Sequence, residues 1–179
     1  MAYDISMTSK DQVLELLNQS AGLSLTWEQI EFDVPAINTN PAYDRNTELV
    51  ITGIPDFGYK GTASIYYNRI DLAEFVNIAR NPFVVQVDVD PDTGTLTLQD
   101  ILDGFNNYFG SALALEDIAD SYVLPTNWAD GESFTMEANA WSYAYRGNVS
   151  FIVRPLDVDI DVAVENKLLD GLVLTEPTP

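Results

Sequence analysis

Three aspartates at alternate positions are the clearest candidates for a ligand site. Asp88, Asp90 and Asp92 occur in the stretch DVDPDTG, and carboxylates at this spacing open the calcium loop of EF-hand proteins. The stretch departs from that loop twice, because Gly94 comes one residue late and Gln99 stands where a bidentate glutamate is required. A strand that closes in a polar turn is the favoured interpretation, because proline inside the loop suits a turn better than a wrapped cation. We therefore predict no cofactor, and calcium at these three aspartates is the weaker alternative.

A second row of carboxylates follows near the carboxyl terminus. Asp157, Asp159 and Asp161 alternate with apolar residues, so one face of a strand there would carry only negative charge. Like charges in a row disfavour a strand unless water, a cation or a basic neighbour relieves them. The row is either a solvated edge that blocks unwanted strand pairing or a docking face for a basic partner.

The sequence lacks the side chains on which most enzymatic chemistry depends. The chain contains no cysteine and no histidine, which removes thiolate nucleophiles, Ser-His catalysis and the usual transition-metal ligands. A hydrolase with two carboxylates remains conceivable, but 28 acidic residues give no reason to choose one pair. No phosphate-binding glycine loop or dinucleotide motif occurs. We therefore predict that the protein is not an enzyme.

The charge balance restricts the partners. Acidic residues number 28 and basic residues eight, which gives a formal net charge of -20 and a pI near 4.1. Such a chain repels phosphate backbones and anionic lipid surfaces. We expect neither direct nucleic-acid binding nor membrane binding, while a hydrophobic content of 46% is enough for a normal core.

A helix signal near the amino terminus recurs in the second half of the chain. In SKDQVLELLN, Ser9 is placed to cap the amide three residues on, while Gln12 reaches back. In TLQDILDGFNN, Thr97 and Asp100 take these two places. The offset of 88 residues, 97 minus 9, holds without a gap through the pairs Leu14 and Leu102, Asn18 and Asn106, Gly22 and Gly110, Leu25 and Leu113, and Ile30 and Ile118.

A strand pattern recurs as well. The stretch YKGTASIYYNRIDL, from Tyr59, is matched by YRGNVSFIVRPLDV, from Tyr145, at an offset of 86, 145 minus 59. The connecting segment is thus two residues shorter in the second copy. Further matched pairs are Gly61 and Gly147, Ser64 and Ser150, and Asp71 and Asp157. An internal duplication explains these matches better than chance does.

The repeat predicts the architecture. Each copy combines a capped helix with two alternating strands that we predict to form a hairpin: TELVITGI and TASIYYNRI in the first copy, SFTMEANAW and NVSFIVRPL in the second. A hairpin must bury one face against a helix to be stable. We predict an α+β fold of two tandem, pseudo-equivalent units, each a capped helix packed on antiparallel β-strands, related by a pseudo-twofold axis. Two small β-sandwich domains are the alternative. The predicted divisions are a first repeat at 1–80, a connecting strand and turn at 81–96, a second repeat at 97–170 and an extended tail at 171–179.

Aromatic residues provide a different candidate function. Flat rings can stack on sugars, and the same rings can fill a core or a subunit contact. A sugar-binding platform would draw on Trp27, Trp128, Trp141, Tyr66, Tyr67, Tyr143 and Tyr145. Core or interface is the favoured interpretation.

Three stretches together resemble a known family. SKDQVLELLNQSAGLSLTWEQIEF, then RNTELVITG, then YKGTASIYYNRIDL are similar to a family of tailed-bacteriophage virion structural proteins, in which a short helical lead-in precedes a Tyr-x-Gly strand ending in Tyr-Asn-Arg-x-Asp-Leu. The resemblance is looser in the second copy, where Arg154 and Pro155 replace Asn68 and Arg69. The matching residues are Tyr59, Gly61, Tyr67, Asn68, Arg69, Asp71 and Leu72. Asp71 lies two residues after Arg69, so it is the expected acceptor for the Arg69 guanidinium at the end of this strand.

The resemblance implies a non-enzymatic structural component of a tailed-phage virion: a head decoration, collar or neck protein. It implies assembly in the host cytoplasm, residence in the virion, and contacts with other virion proteins in a homo-oligomer or lattice. A carbohydrate-binding or adhesion module is the alternative. The expected interface or structural residues are Tyr59, Gly61, Tyr67, Asn68, Arg69, Asp71, Tyr145, Gly147, Asp157, Asp159 and Asp161.

Overall fold

The structure is a computed structural model that describes residues 4–80, 82–92 and 94–156. Its helices are α1 (Ser9–Ala21), α2 (Glu74–Ile78) and α3 (Leu98–Phe109), with short 3-10 turns at Pro55–Phe57, Leu115–Asp117 and Trp128–Asp130. Its strands are β1 (Ile30–Phe32), β2 (Ala36–Ile37), β3 (Thr47–Gly53), β4 (Thr62–Tyr67), β5 (Ile70–Asp71), β6 (Val84–Val87), β7 (Glu132–Glu137), β8 (Tyr145–Arg146) and β9 (Asn148–Pro155). The fold is α+β, as predicted.

The first unit (residues 8–67) contains α1 and a four-stranded sheet. The strands β1, β2 and β4 all pair antiparallel with β3, and β3 and β4 form the predicted hairpin. Val13 of α1 packs with Leu49 of β3 and Tyr67 of β4 in a buried cluster. Among the described strands, none pairs with the outer edge of β4.

The second unit (residues 97–155) contains α3 and a sheet in which β9 is central. The strand β7 pairs antiparallel with one edge of β9, and β6 pairs parallel with the other edge. Alternate residues of β7 and β9 face inward, which buries Phe134, Met136, Val149, Phe151 and Val153. The helix covers this face, so each sheet is packed against a helix and not against a second sheet.

The helix starts agree with the prediction in one unit and differ in the other. Thr97 caps α3 in a capping box with Asp100, as predicted. The cap of α1 is Thr8 and not Ser9, because the Thr8 hydroxyl accepts from the amide of the third residue on, at 3.3 Å. Gln12 does not reach back to a cap: its Nε2 donates to the carbonyl of Met7 and to the Tyr145 hydroxyl.

The chain that follows each helix is held by the same side-chain clamp. Asn18 Nδ2 donates to the Leu25 carbonyl at 2.9 Å, and Asn18 Oδ1 accepts from the Leu25 amide at 2.7 Å. Asn106 makes the same two bonds to Leu113, both at 2.9 Å. The residues that end the helices in the left-handed conformation are Gly22 and Gly110.

The two hairpins also share one register. Thr52 lies opposite Thr62 in the first unit, and Glu137 lies opposite Asn148 in the second. The offsets are 85 (137 minus 52) and 86 (148 minus 62). The sequence repeat is therefore reproduced by strand pairing.

The strand after the clamp joins each sheet at the same place. Ile30 pairs with Gly53, and Ile118 pairs with Ala138, in both cases antiparallel. These pairs are related by offsets of 88 (118 minus 30) and 85 (138 minus 53). Together with the clamps and hairpins, they confirm two tandem units of one plan.

The chain between the units, here called the bridging segment (residues 70–87), packs on the second unit. It contains β5, α2 and β6. Leu72, Phe75, Val85 and Val87 all belong to the buried cluster of the second unit. The end of the predicted first repeat and the predicted connecting strand thus both pack in the core of the second unit.

Candidate functional site

The contact between the two units, here called the joint, is built from two strands of the bridging segment that pair parallel with strands of the second unit. β5 pairs with β8, and its ends are bonded from the Ile70 amide to the Ala144 carbonyl at 2.7 Å and from the Leu72 amide to the Arg146 carbonyl at 2.9 Å. Farther along, β6 lies between β9 and α3. The bridging segment therefore binds the second unit as an extended peptide binds a sheet edge.

Asp71 fixes the first of these contacts. Its carboxylate pairs with Arg146 at 3.2 Å and accepts from the Ala73 amide at 3.1 Å. A Cβ added to Gly147 would run into the Asp71 carboxylate, so this glycine is required by close approach as well as by its φ of 72°. The predicted site residues Asp71, Tyr145 and Gly147 thus meet at one place.

We expect Gly147→Ala to lower the free energy of unfolding by about 2 kcal/mol, from the left-handed backbone and the contact with Asp71. The matched control is Gly61→Ala, because Gly61 has a φ of 86° but nothing within 4 Å of an added Cβ. It should cost about 1 kcal/mol, for the backbone alone. Urea unfolding measures both, and equal losses would contradict the close approach at Gly147.

Arg69 ties the end of β4 to the second unit. Its Nη1 donates to the carbonyls of Ala140 and Ser142 at 2.9 and 3.2 Å, and its Nε donates to the Thr47 hydroxyl at 3.0 Å. Burial is the largest influence on this guanidinium, and it lowers the pKa of Arg69. The sequence suggested a local contact with Asp71, but Asp71 pairs with Arg146 instead.

Tyr67 and Asn68 complete this end of the first unit. The Tyr67 hydroxyl donates to the Tyr143 carbonyl at 2.8 Å, which adds a further hydrogen bond to the second unit. Asn68 Oδ1 accepts from the Asn46 amide at 2.8 Å and so links the start of β3 to the end of β4, opposite the hairpin turn. Of the predicted residues, Tyr67 and Arg69 therefore lie in the joint and Asn68 supports it.

Tyr145 is fully buried beneath the first unit. Its hydroxyl accepts from Gln12 Nε2 of α1 at 2.8 Å, and its exposed fraction is 0%. Burial raises the pKa of Tyr145 to about 12, against the lowering effect of the Gln12 hydrogen bond. The tyrosinate form is thus disfavoured in the folded state.

This pKa predicts a loss of stability in alkali. The phenol is neutral in both states below pH 10, and above it the unfolded chain loses the proton first. The free energy of unfolding should fall by about 2 kcal/mol between pH 10 and 12 on account of Tyr145. Urea unfolding at pH 9 and 11.5 measures the fall. Tyr145→Phe should remove the part of this fall that comes from Tyr145. An unchanged pH dependence of the free energy of unfolding in that variant would show that Tyr145 is not its source.

Sequence reasoning missed the polar residues beneath the joint. Asp117 is 1% exposed, and its carboxylate accepts from the Ser142 hydroxyl at 2.6 Å and from the Ala114 amide at 3.2 Å. Ser142 in turn accepts from the Tyr145 amide at 3.2 Å. The sequence repeat could have identified Asp117, because its counterpart is Gln29, whose side chain accepts a hydrogen bond from the Thr26 amide in the same way.

The surface that receives the bridging segment has an uncovered counterpart in the first unit. Tyr59, Lys60 and Gly61 correspond to Tyr145, Arg146 and Gly147 at the offset of 86. All three are exposed. Among the described strands, only the end of β3 bonds to them, through the Gly53 amide, which donates to the Gly61 carbonyl at 2.9 Å. Predicted residues Tyr59 and Gly61 therefore lie apart from the joint.

A groove lies next to this surface, between α1 and β4. Its volume is about 740 Å³, and it is the counterpart of the space that β6 fills between α3 and β9. Its lining includes the apolar side chains of Leu16, Leu17 and Ile65, together with Arg45 and the stacked rings of Tyr43 and Tyr66.

The contact between the units is not reciprocal, and this corrects the predicted pseudo-twofold relation. Under a twofold axis, the bond from the Ile70 amide to the Ala144 carbonyl would be repeated from the Leu156 amide to the Gly58 carbonyl at the offset of 86. The Leu156 amide donates to the Val87 carbonyl at 2.8 Å instead. In the described parts of the chain, the first unit thus docks on the second without a reciprocal contact.

The acidic candidates do not form a metal centre within the described residues. No three acidic side chains come together there as a possible ligand set. Asp90 Oδ1 accepts from the Asp92 amide at 2.9 Å, and the Asp90 carbonyl accepts from Gly94, so Asp88 to Asp92 form the polar turn. Asp157, Asp159 and Asp161, and the predicted tail at 171–179, lie outside the described residues.

The aromatic residues do not form one platform. Trp128, Tyr67 and Tyr145 are buried, and Trp27 packs on Phe32 and under Lys10. Trp141 is the exception, with 67% of its surface exposed. Core and interface therefore account for most of these rings.

Comparison with curated proteins and with solved structures returned no match. Within the described residues, no helix has both the length and the apolar composition needed to cross a membrane. A family profile, by contrast, matches nearly the whole sequence, from residue 2 to residue 178. The chain belongs to this family, which is described as a family of unknown function, DUF7941.

Proposed function

We propose that the protein is a non-enzymatic structural component of a tailed-phage virion, a head decoration, collar or neck protein that acts through contacts among many copies. The observation that carries the proposal is the joint. One unit already binds its neighbour through added strands, and a second receiving surface of the same kind is exposed on the first unit.

The direction of the joint fits such a role. A contact that uses different surfaces on its two sides leaves one surface of each kind unused at the ends, and repetition then produces rings or filaments. Collars, necks and decorated shells are assemblies of this kind. The resemblance of the first repeat to virion structural proteins points to the same class.

Quantitative mass spectrometry of purified particles tests this function. Particles of a phage that encodes the chain should contain it in several copies each, at constant stoichiometry with the major shell protein. Particles washed in high salt serve as the control for loose adsorption. Absence of the chain from intact particles, with abundance in the infected cell, would overturn the proposal.

Carbohydrate binding is a second candidate, and the exposure of Trp141 favours it. This ring lies at a shallow groove with Asp120, Asn139 and Arg146, and one exposed ring beside polar groups can stack on a sugar face. Sugar-dependent quenching of tryptophan fluorescence, lost in Trp141→Ala and kept in Trp27→Phe, would support it. Quenching that survives Trp141→Ala would exclude this site.

A further inference from the structure

The outer edge of β4 is open to a further strand. The Gly53 amide donates to the Gly61 carbonyl at 2.9 Å, so Gly61 bonds to β3. Bonding alternates along an antiparallel pair, and the amides and carbonyls of Thr62, Ser64 and Tyr66 are therefore directed away from β3. Among the described residues, none bonds to these backbone groups. β4 thus presents a row of unpaired groups along its outer edge.

This edge lacks the features that protect strand edges from pairing. Charged residues, prolines and bulges are the usual ones, and the sequence of β4, TASIYY, contains no charge and no proline. Its register with β3 runs through all six positions without a bulge. The outer edge of β7, by contrast, begins at Glu132 and ends at Glu137, whose carbonyl already accepts from the Ala119 amide at 2.9 Å. The edge of β4 is therefore the better candidate for an interaction surface.

The groove between α1 and β4 extends this surface. Its lining contains one charged side chain, Arg45, and no acidic one, whereas the groove beside β7 is lined by Glu132 and Glu137. In the second unit, β6 fills the corresponding space, and its Val85 and Val87 are both 0% exposed. The fold thus accepts an added strand at this place.

We propose that β4 of one copy pairs antiparallel with β4 of a second copy, about a twofold axis that passes between the two Ile65 residues. The two four-stranded sheets then become one continuous sheet. Because the axis is perpendicular to that sheet, α1 of both copies lies on the same face, with Leu16 and Leu17 of each helix at the contact. The inference rests on the proposed function and names a second copy of this chain as one of its partners.

The side chains of β4 complement one another in this register. When Ile65 lies opposite the partner's Ile65, Ser64 lies opposite the partner's Tyr66, and Ala63 lies opposite the partner's Tyr67. Each small side chain thus faces a large ring, and such cross-strand pairs stabilise a sheet. Ser64 and Tyr66 direct their backbone groups outward, so they can exchange the hydrogen bonds of the new pair.

Charge favours a second copy as the partner at this edge. A net charge of -20 makes two copies repel each other over most of their surface. Neither β4 nor the groove beside it contributes an acidic side chain, so two copies can meet here without carboxylates facing one another. A contact that uses the same surface on both sides closes as a dimer, and further copies then attach through other surfaces.

Cysteine cross-linking of the full chain tests the contact, because the chain contains no cysteine. Ile65→Cys should form a covalent dimer on mild oxidation, since each Ile65 lies opposite its own copy within disulfide range. Thr62→Cys is the matched control. Thr62 is the more exposed of the two positions, yet six residues of strand, about 20 Å, would separate it from the partner's Thr62. It should therefore give no covalent dimer.

Sedimentation velocity of proline variants gives a second measurement. Ser64→Pro removes an amide that faces away from β3, so the fold should tolerate it while dimerisation weakens at least about tenfold. Ser133→Pro is the matched control on β7. The Ala138 amide donates to the Gly147 carbonyl, so the Ser133 amide faces away from β9 by the same alternation, and this variant should dimerise normally. Circular dichroism should show that both variants are folded.

Three results would overturn the proposal: a full-length chain that stays monomeric at all concentrations, a dimer that Ser64→Pro weakens no more than Ser133→Pro does, or as much covalent dimer from Thr62→Cys as from Ile65→Cys. The function fails separately. Absence from purified particles would refute the structural role even if the chain dimerises, whereas many copies per particle without the Ile65→Cys cross-link would refute only the β4 contact.

Discussion

Replacing Phe105 by alanine will lower the free energy of unfolding by about 4 kcal/mol, because it leaves a large cavity in a closely packed core. Phe105 is 0% exposed, and its ring centre lies 4.8 Å from that of Phe109 and 5.2 Å from that of Phe75. It also contacts Phe151 of β9, at 5.6 Å. The change would remove the ring that joins α3, the bridging segment and the central strand.

Urea unfolding followed by circular dichroism measures this loss. Phe57→Ala is the matched control, because the Phe57 side chain is 51% exposed and should cost less than about 0.5 kcal/mol. If Phe105→Ala were as mild as the control, the second core would not be organised around this ring.

Arg69→Met will cost about 3 kcal/mol, because it removes three charge-assisted hydrogen bonds while keeping most of the aliphatic stem. Thr47, which accepts one of them, is 0% exposed. The carbonyls of Ala140 and Ser142 belong to the second unit, so the loss is concentrated in the joint. Hydrogen exchange should therefore increase at these loop residues more than in β3.

Two further variants separate charge from geometry. Arg45→Met removes the same charge from an exposed position and should change the free energy of unfolding by less than about 0.5 kcal/mol. Arg69→Lys keeps the charge but cannot donate in two directions from one plane, so it should recover little. Full recovery by lysine would show that charge alone matters at this position.

Short-range sequence patterns predicted the strands, the helix cap and the repeat, because these features depend on residues close together in the chain. The alternation in TELVITGI and SFTMEANAW corresponds to β3 and β7 because one face of each strand is buried. The capping box of Thr97 was readable because cap and partner lie three residues apart. The repeat was readable because both copies retain the asparagine clamp and the glycine that follows it.

Contacts between distant residues were not readable. The partners of Arg69 lie 71 and 73 positions away, so the sequence suggested the neighbouring Asp71 instead. Gln12 stands at a capping position, but its Nε2 donates to the Tyr145 hydroxyl, because a buried hydroxyl requires a hydrogen-bond partner. The pseudo-twofold relation was wrong for the same reason, since two similar units can be joined in either of two ways.

The candidate site was predicted in part. Tyr67, Arg69, Asp71, Tyr145 and Gly147 lie in the joint, and the repeat had marked most of them as matched positions. Calcium at Asp88, Asp90 and Asp92 stays a prediction for which the turn offers no ligand cluster among the described residues.

The parallel pairing of the bridging segment has a consequence for how the chain folds. Ile70 pairs with Tyr145 across a separation of 75 residues (145 minus 70), and Val84 pairs with Ile152 across a separation of 68 (152 minus 84). Such distant pairings are slow to close. During synthesis, the apolar side of β6 must stay exposed to the ribosome's surroundings until β9 has emerged, and this interval is when the nascent chain is most prone to aggregate.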